Sequence, residues 1–271
     1  MLAAVRAPET LVDVFQALTS DPDAVLVAGG TIAVPDLTLG TGRRTTAVAL
    51  SRLHAGLDAI AVDGDVVTLG AMVRLSALER DRRLAVLAPV LAAIGSPTLR
   101  NSATVGGNFF VDGPYGDLAV ALVALGATCT IVGPDGEAIR PAEAVAADGL
   151  ARGSVLAAVS FRLPAPGTFR FRKAARRRLN SASIATVAAV VVEANGVVES
   201  ARIALGGVAP RPCRAPTAEA ALIGRPLDAA SAEAAGVAAR ADAAPFTDAY
   251  ASAWYRDRVL PVHVRRALVG A

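Results

Sequence analysis

The sequence predicts an α+β protein made of two parts, and three observations support this. Helix-periodic and strand-like segments occur together in the first half of the chain, between glycine-rich turns. Pro164–Gly167 then has the composition of a linker. Beyond it, two β-rich segments flank Asn195-Gly196, a dipeptide typical of a tight hairpin. We therefore expect a first domain over residues 1–165 and a second domain, with an antiparallel sheet and helices, over residues 166–271.

The elements of the first domain follow from local apolar patterns. One helix has apolar residues at i, i+3, i+4 and i+7, namely Leu11, Val14, Phe15 and Leu18. Short apolar or β-branched runs predict strands at Ala24–Ala28, Ala47–Leu50, Val66–Leu69, Thr128–Val132 and Val155–Leu163. Longer apolar runs predict helices at Leu84–Ile94, stopped by Gly95 and Pro97, and at Leu118–Leu125, with Asp117 as the N-cap.

The second domain is predicted to begin with a hairpin and to end in helices. Its strands are Ile184–Glu193 and Val197–Leu205, on either side of Asn195-Gly196. Alanine-rich or periodic segments predict helices at Thr217–Leu222, Ser231–Ala244 and Val262–Leu268.

Composition excludes several classes of function. The formal net charge is only +3 and aromatic residues make up 4%, which does not favour a nucleic-acid partner. The longest uncharged run, Leu118–Pro134, falls short of the ~18 apolar residues of a membrane span. Cys129 and Cys213 are the only cysteines, so we expect no metal or iron–sulfur site on this chain and a cytoplasmic location. Cys129 is predicted to be a small core residue, and Cys213 to be an inert loop residue.

Two glycine pairs are the most informative local feature. VAGGT (residues 27–31) and TVGGN (residues 104–108) share an apolar approach, a Gly-Gly pair and a small polar residue. Glycine permits positive φ and removes the Cβ that would block a ligand, and successive amides can then hold an anion. Two such turns suggest one ligand with neighbouring phosphates, such as a dinucleotide. A G-x-G-x-x-G fingerprint in a βαβ context is missing from the sequence.

Lys173 is the only lysine among the 27 basic residues. It could be a remnant of compositional drift towards arginine, or it could mark a position that needs an ammonium group, which differs from guanidinium in shape and hydration. The two histidines, His54 and His263, have no triad partner visible in the sequence, so ordinary surface or core roles are expected.

Three longer stretches carry a family resemblance. They are VAGGTIAVPDL, IGSPTLRNSATVGGNFFVDGPYGDLAVALVALGA and ARIALGGVAPRPCRAPTAEAAL followed by ASAWYRDRVLPVHVRRAL. Together they resemble the FAD-binding medium subunit of molybdenum hydroxylases, the xanthine dehydrogenase and carbon monoxide dehydrogenase family, from about residue 5 to the C-terminus. The resemblance implies a two-lobed FAD-binding domain of the PCMH type, followed by a C-terminal domain of the carbon monoxide dehydrogenase flavoprotein type.

The resemblance also implies a set of FAD-binding residues. The two glycine loops would wrap the pyrophosphate, Asp117 would contact the adenosine part, Ile94 would pack on the cofactor and Lys173 would lie near the flavin. The full set is Leu26, Val27, Ala28, Gly29, Gly30, Thr31, Ile32, Ala33, Ile94, Thr104, Val105, Gly106, Gly107, Asn108, Asp117 and Lys173. FAD would be bound non-covalently, because no histidine or cysteine lies near either loop.

By the same resemblance, the chain would be an electron-transfer subunit. A large partner subunit would carry the molybdenum cofactor and the substrate pocket, and a small partner would carry two [2Fe–2S] clusters, as a dimer of heterotrimers. The FAD would pass electrons to NAD⁺, O₂ or a quinone. Two alternatives are a stand-alone flavin oxidoreductase and a non-catalytic assembly module that has lost FAD.

Some positions depart from the family pattern. Asp112-Gly113-Pro114-Tyr115 replaces a stretch of small residues, and the Asp112 carboxylate could repel a phosphate or face solvent. Pro35-Asp36 stands where Met-Lys is frequent, and Asn180 where aspartate is frequent. The basic run from Arg170 to Arg178 could be a solvated face, or could dock a partner or an anionic nicotinamide cofactor.

Overall fold

A computed structural model describes residues 2–39, 46–53, 55–177 and 180–270, which form three sheets. The first lobe is a parallel sheet in the order β1-β3-β2. Its strands are β1 (Ala4–Arg6), β2 (Val25–Val27) and β3 (Thr46–Ala49), and its helices are α1 (Leu11–Ser20) and α2 (Ala33–Leu39). Thr10 caps α1 by accepting a hydrogen bond from Asp13 N, 3.2 Å away. The predicted helix and both predicted strands of this lobe are confirmed.

The second lobe is an antiparallel five-stranded sheet in the order β4-β5-β8-β6-β7. Its strands are β4 (Ile60–Asp63), β5 (Val66–Gly70), β6 (Thr128–Gly133), β7 (Gly136–Pro141) and β8 (Val155–Arg162). Its helices are α3 (Leu75–Arg80), α4 (Ala88–Ala92), α5 (Pro97–Arg100), α6 (Val105–Phe109), α7 (Asp117–Ala124) and α8 (Ala142–Asp148). The strands predicted at positions 66–69, 128–132 and 155–163 are confirmed.

The helix predicted at Leu84–Ile94 is wrong as a continuous element. Residues Arg82–Leu87 form a 3₁₀ segment with a kink at Leu84 (φ −100°, ψ 22°), and α4 starts separately at Ala88. Pro89 has no N–H to donate to the preceding turn, so it favours a new helix start over continuation. The larger apolar side chains Leu84, Leu87, Val90, Leu91 and Ile94 are nevertheless buried, so the apolar run predicted burial correctly but not the length of the helix.

The C-terminal part is an antiparallel four-stranded sheet in the order β12-β11-β10-β9, covered by helices. Its strands are β9 (Phe169–Ala175), β10 (Ser183–Ala194), β11 (Val197–Gly206) and β12 (Cys213–Arg214). Its helices are α9 (Pro216–Ala220), α10 (Ala229–Ala238) and α11 (Ala253–Val269). The predicted hairpin is confirmed, since Asn195 and Gly196 have φ values of 54° and 78°, as a type I′ turn requires.

Several elements of this part were missed or misplaced. β9 was not predicted, because its arginines indicate a charged run and so obscure the strand-like alternation of Phe and Arg. The helix predicted at Ser231–Ala244 starts earlier, at a capping box built by Asp228 and Ser231, and ends in a 3₁₀ turn. The last helix is much longer than predicted and continues through Pro261. Cys213 lies in a short strand, not in a loop.

Helix α7 is the central element of the fold. All eight of its residues are buried, in keeping with a helix that is apolar on every side. Ala188 of β10 and Ala204 of β11 belong to the same apolar cluster as α7 and the five-stranded sheet. Gly206 allows this approach, because a Cβ there would lie 2.4 Å from Val120 Cγ2. The two large sheets therefore pack on one shared helix.

No helix within the described residues combines the length and the apolar run that crossing a bilayer requires.

Candidate cofactor site

A cleft of about 560 Å³ lies between the lobes and the C-terminal part. Seven of the predicted site residues line it: Thr31, Ile32, Ile94, Gly107, Asn108, Asp117 and Lys173. Further lining residues that the sequence analysis did not assign to the site include Gly95, Leu99, Tyr115, Arg176, Arg177, Asn180 and Tyr250. Among the described residues, the lining contains three cationic side chains and one carboxylate, so this part of the cleft has a positive balance of charge.

The two glycine loops converge on this cleft. Gly29 lies against the segment that leads into the second loop, and a Cβ on Gly29 would be 2.0 Å from the carbonyl oxygen of Ser102. Gly30 follows with a φ of 70°, a left-handed conformation that glycine adopts without strain. Thr31 and Gly107, one from each loop, then line the same cleft. The absence of side chains at these glycines is therefore what allows the loops to meet.

The first loop presents unsatisfied backbone donors. Among the described residues, the amides of Gly29, Gly30, Thr31 and Ile32 have no acceptor within hydrogen-bonding distance. Successive free amides in a glycine turn form a concave site for an anion. Of this loop only Thr31 and Ile32 line the cleft; Gly29 and Gly30 lie behind them, and Leu26, Val27, Ala28 and Ala33 belong to β2, to α2 or to the residue after β2.

The amides of the second loop are already used inside the chain. Val105 N donates to Val73 O, Gly106 N to Ala71 O, Gly107 N to Thr104 Oγ1 and Asn108 N to Thr104 O, at 2.8–3.1 Å. Thr104 thereby caps α6. A Cβ on Gly106 would face Ala71 at 3.1 Å, not the cleft, whereas Gly107 is at the cleft wall. The second loop contributes open space at Gly107. Its amides are not free to bind an anion, although the sequence analysis expected this of both loops.

Asp117 and Lys173 form a buried ion pair in the cleft wall. Lys173 Nζ lies 2.7 Å from Asp117 Oδ2 and also donates to the carbonyl of Ala93 at 2.9 Å. The other carboxylate oxygen of Asp117 accepts hydrogen bonds from Ser183 Oγ (2.9 Å) and Thr186 Oγ1 (2.7 Å). The side chains of Lys173 and Asp117 are 11% and 5% exposed, so water screens this pair weakly.

This pairing changes two earlier expectations. Asp117 was predicted to cap α7, but Gly116 (φ 88°) is the N-cap and the carboxylate binds Lys173 instead. Asn108 takes over the capping role, because its Oδ1 accepts a hydrogen bond from Leu118 N at 3.0 Å. Asp117 and Lys173, expected at the adenosine and flavin parts respectively, lie at one point of the cleft.

Arg100 fixes the apolar end of the cleft. Its side chain is buried and donates to the carbonyls of Ile94 (2.9 Å) and Gly95 (3.2 Å) while pairing with Glu79. Ile94 is 6% exposed and forms part of the lining, as predicted. The arginine thus holds the turn that carries Ile94 in a fixed position.

Two tyrosines at the cleft were missed by sequence reasoning. Tyr115 Oη and Tyr250 Oη are 2.8 Å apart, although the residues are 135 positions apart in sequence. Burial, followed by the hydrogen bond to Tyr250, raises the pKa of Tyr115 to about 12. The only signal in the sequence was the unusual stretch around Tyr115; nothing local marked Tyr250.

The departures from the family pattern lie mostly outside the cleft. The Asp112 side chain is 81% exposed and 3.8 Å from Arg211, so it faces solvent. Asp36 lies in α2 and does not line the cleft. Asn180 does line it, with a φ of 49°, a conformation that asparagine tolerates. Arg178 of the basic run lies outside the described residues.

The remaining candidates have ordinary environments. Cys129 is fully buried, as predicted, and burial raises the pKa of its thiol to about 12. Burial raises the pKa of Cys213 to about 11. His263 is partly buried, and burial, with Arg172 and Arg266 nearby, lowers its pKa. His54 lies outside the described residues.

Comparison with known proteins agrees with this geometry. Residues 3–161 match the family described as FAD binding domain in molybdopterin dehydrogenase, and residues 170–271 match the CO dehydrogenase flavoprotein C-terminal domain. The chain therefore belongs to the FAD-binding medium subunits of the molybdenum hydroxylase family. Its relatives are named dehydrogenases and hydroxylases, and the chain is a flavoprotein oxidoreductase subunit with an FAD-binding domain.

Individual relatives resemble the chain over almost its whole length. The nicotine 6-hydroxylase medium subunit of Paenarthrobacter nicotinovorans is 27% identical, covering 100% of this chain and 98% of the relative. The carbon monoxide dehydrogenase medium chain of Afipia carboxidovorans is 28% identical, covering 96% and 93%. Among solved structures, the carbon monoxide dehydrogenase of Hydrogenophaga pseudoflava superposes with a TM-score of 0.90 at 28% identity, covering 100% of this chain and 97% of that chain.

Proposed function

We propose that this chain is the electron-transfer subunit of a molybdenum-containing hydroxylase or dehydrogenase. Bound FAD would take electrons from [2Fe–2S] clusters on a partner subunit and pass them to an external acceptor. The cleft where the two glycine loops converge is the observation that carries this proposal. The names of the relatives support it, since they are medium chains or subunits of dehydrogenases and hydroxylases.

The assembly is part of the same proposal. A large subunit would carry the molybdenum cofactor and a small subunit would carry the [2Fe–2S] clusters, in a dimer of heterotrimers. We place the domain division at residue 165, between the end of β8 at Arg162 and the start of β9 at Phe169; the limits of the two family matches support this position. The cytoplasmic location stays a prediction.

The residues of the cleft fit a dinucleotide held non-covalently. The free amides of residues 29–32 would bind the diphosphate, and Gly107 would leave room for it, since a side chain there would project towards the cleft. Ile94 and Leu99 supply apolar surface for a ring. We propose that Thr104, Val105 and Gly106 act by anchoring the second loop and that Leu26, Val27, Ala28 and Ala33 act by anchoring the first.

Cationic side chains would complete the site. Lys173, Arg176 and Arg177 line the cleft, and their potential favours an anionic ligand. Lys173 is held by Asp117 and by the carbonyl of Ala93, so its ammonium is fixed before any ligand enters. A preorganised charge of this kind stabilises a bound anion without further ordering of the side chain.

The purified chain tests the proposal directly. We expect it to carry yellow FAD, or to recover FAD after release, with about 100-fold weaker binding of riboflavin, because riboflavin lacks the diphosphate that the first loop would hold. Flavin extraction and fluorescence titration measure both. A colourless chain that binds neither flavin would overturn the FAD assignment and favour the assembly module.

Co-purification from the native source with molybdenum- and iron-containing subunits tests the partner assignment. Turnover by the isolated chain would favour a stand-alone oxidoreductase.

A further inference from the structure

Arg256 is a buried charge whose side chain makes no hydrogen bond to any residue predicted to act in the site. It lies on α11, is 0% exposed, and does not itself line the cleft. A buried guanidinium is costly to keep unless its donors are paired. Its Nη1 and Nη2 donors bind groups outside α11, and Nε has no hydrogen-bond partner among the described residues.

The donors of Arg256 join three separate segments. Nη1 donates to the carbonyls of Ser183 (2.9 Å), Ile184 (2.7 Å) and Gly207 (2.5 Å), at the ends of β10 and β11. Nη2 pairs with Asp248 Oδ2 at 2.7 Å. The ring of Phe246 lies 4.6 Å from the guanidinium carbon. One planar group thus ties two strand ends to the loop before α11.

Two of these segments, the start of β10 and the loop before α11, support walls of the cleft. Ser183 Oγ donates to Asp117, which holds Lys173, so the backbone that Arg256 fixes also sets the ion pair. Asp248 Oδ1 accepts from the amides of Tyr250 and Ala251, so its other oxygen fixes the loop that presents Tyr250. The Asp117 wall and the Tyr250 wall are both part of the cleft lining.

We propose that Arg256 is a positioning residue that sets the spacing of these two walls and thereby the fit of the bound dinucleotide. The inference rests on the proposed function of the cleft. Lysine cannot replace it, because Nη1 binds the three carbonyls while Nη2 binds Asp248, and a single ammonium has all its donors at one point. Arg256 acts through Ser183 and Asp248 and makes no contact with the cleft itself.

The test compares Arg256→Lys with Arg214→Lys in the full chain. Arg214 is the matched control, since it pairs with buried Glu219 in the same part of the protein and neither residue lines the cleft. We expect Arg256→Lys to weaken FAD binding about tenfold or more, as loss of a charge-assisted hydrogen bond would. The midpoint potential and the visible absorption band of bound FAD should also shift. Arg214→Lys should leave affinity, potential and spectrum unchanged.

A second variant keeps the inference testable if Arg256→Lys does not fold. Asp248→Asn keeps the acceptor for the Tyr250 and Ala251 amides and removes the charge that pairs with Arg256; it should weaken FAD binding and shift the same band. If both foldable variants bind FAD like the control, with unchanged potential and spectrum, the positioning role is wrong even though FAD binding by the wild type stands. If the wild-type chain binds no FAD, the result contradicts the proposed function itself and not only the positioning role of Arg256.

Discussion

Lys173 shows how one side chain can depend on distant parts of the chain. Its ammonium meets the carbonyl of Ala93 and the carboxylate of Asp117, which come from the turn after α4 and the start of α7. An ammonium is compact enough to satisfy both acceptors from one point, whereas a guanidinium would need a wider opening. The structure therefore favours the interpretation that this position requires lysine over the interpretation of compositional drift.

The Asp117–Lys173 pair should contribute to stability as a coupled unit. Asp117→Asn or Lys173→Met alone should lower the free energy of unfolding by about 3 kcal/mol, because each leaves a buried group without its partner. The double variant should lose clearly less than the sum of the two. Urea denaturation of all four proteins measures the difference.

The exposed pair Arg162–Asp65 is the control for this cycle. Its side chains are 72% and 56% exposed, so Asp65→Asn should cost less than about 1 kcal/mol. Strictly additive losses for Asp117 and Lys173 would show that the two side chains do not interact in solution.

At the scale of elements, helix α6 points two adjacent glycines in different directions. Gly106 faces Ala71 at the end of β5, whereas Gly107 faces the cleft. The helical turn causes this difference, since consecutive helical residues point about 100° apart. The same turn uses the loop's amides for its own cap and for the carbonyls of Ala71 and Val73 after β5, which leaves the first loop as the main source of free amides for an anion.

Valine variants of these two glycines should therefore differ in their effect on FAD binding. Gly106→Val should destabilise the fold by about 1–3 kcal/mol through overpacking against Ala71, with FAD affinity nearly kept in the folded fraction. Gly107→Val should weaken FAD binding at least about tenfold, because its side chain would stand at the cleft wall, and it should also cost some stability, because its Cβ would lie 3.0 Å from Thr104 Oγ1. Thermal unfolding and FAD titration measure both quantities. The reverse pattern would contradict the assigned orientation of the loop.

At the scale of the whole molecule, the two sheets are joined through α7 and by polar contacts. Arg202 on β11 donates to the carbonyl of Val123 at 2.8 Å and pairs with Glu143 of α8. Because α7 is buried by both sheets, the core of the five-stranded sheet is completed by the C-terminal part, which also has an apolar cluster of its own.

We expect the chain to unfold in one cooperative transition. Removing residues 168–271 should expose the apolar face of α7, and the remaining piece should bind a hydrophobic dye and lose its sharp thermal transition. Near- and far-ultraviolet circular dichroism of the full chain should give coincident melting curves. Two well-separated transitions, or a stable truncated piece, would show that the shared core is not needed.

The sequence by itself determined the α+β class, the hairpin at Asn195-Gly196, most strands and the family. These features depend on local periodicity, on turn chemistry and on motifs that are short in sequence, so they can be read without knowing the fold. The two glycine loops belong to this group.

Only the tertiary structure decided how those residues are used. Apart from the local pair Arg256–Asp248, these contacts join residues at least 49 positions apart: the pairing of Asp117 with Lys173, the Tyr115–Tyr250 contact and the bonds of Arg256. The different roles of Gly106 and Gly107 depend on a helical turn that forms against β5. Such contacts arise from packing around α7, and a one-dimensional pattern carries no information about which distant side chain fills a given space.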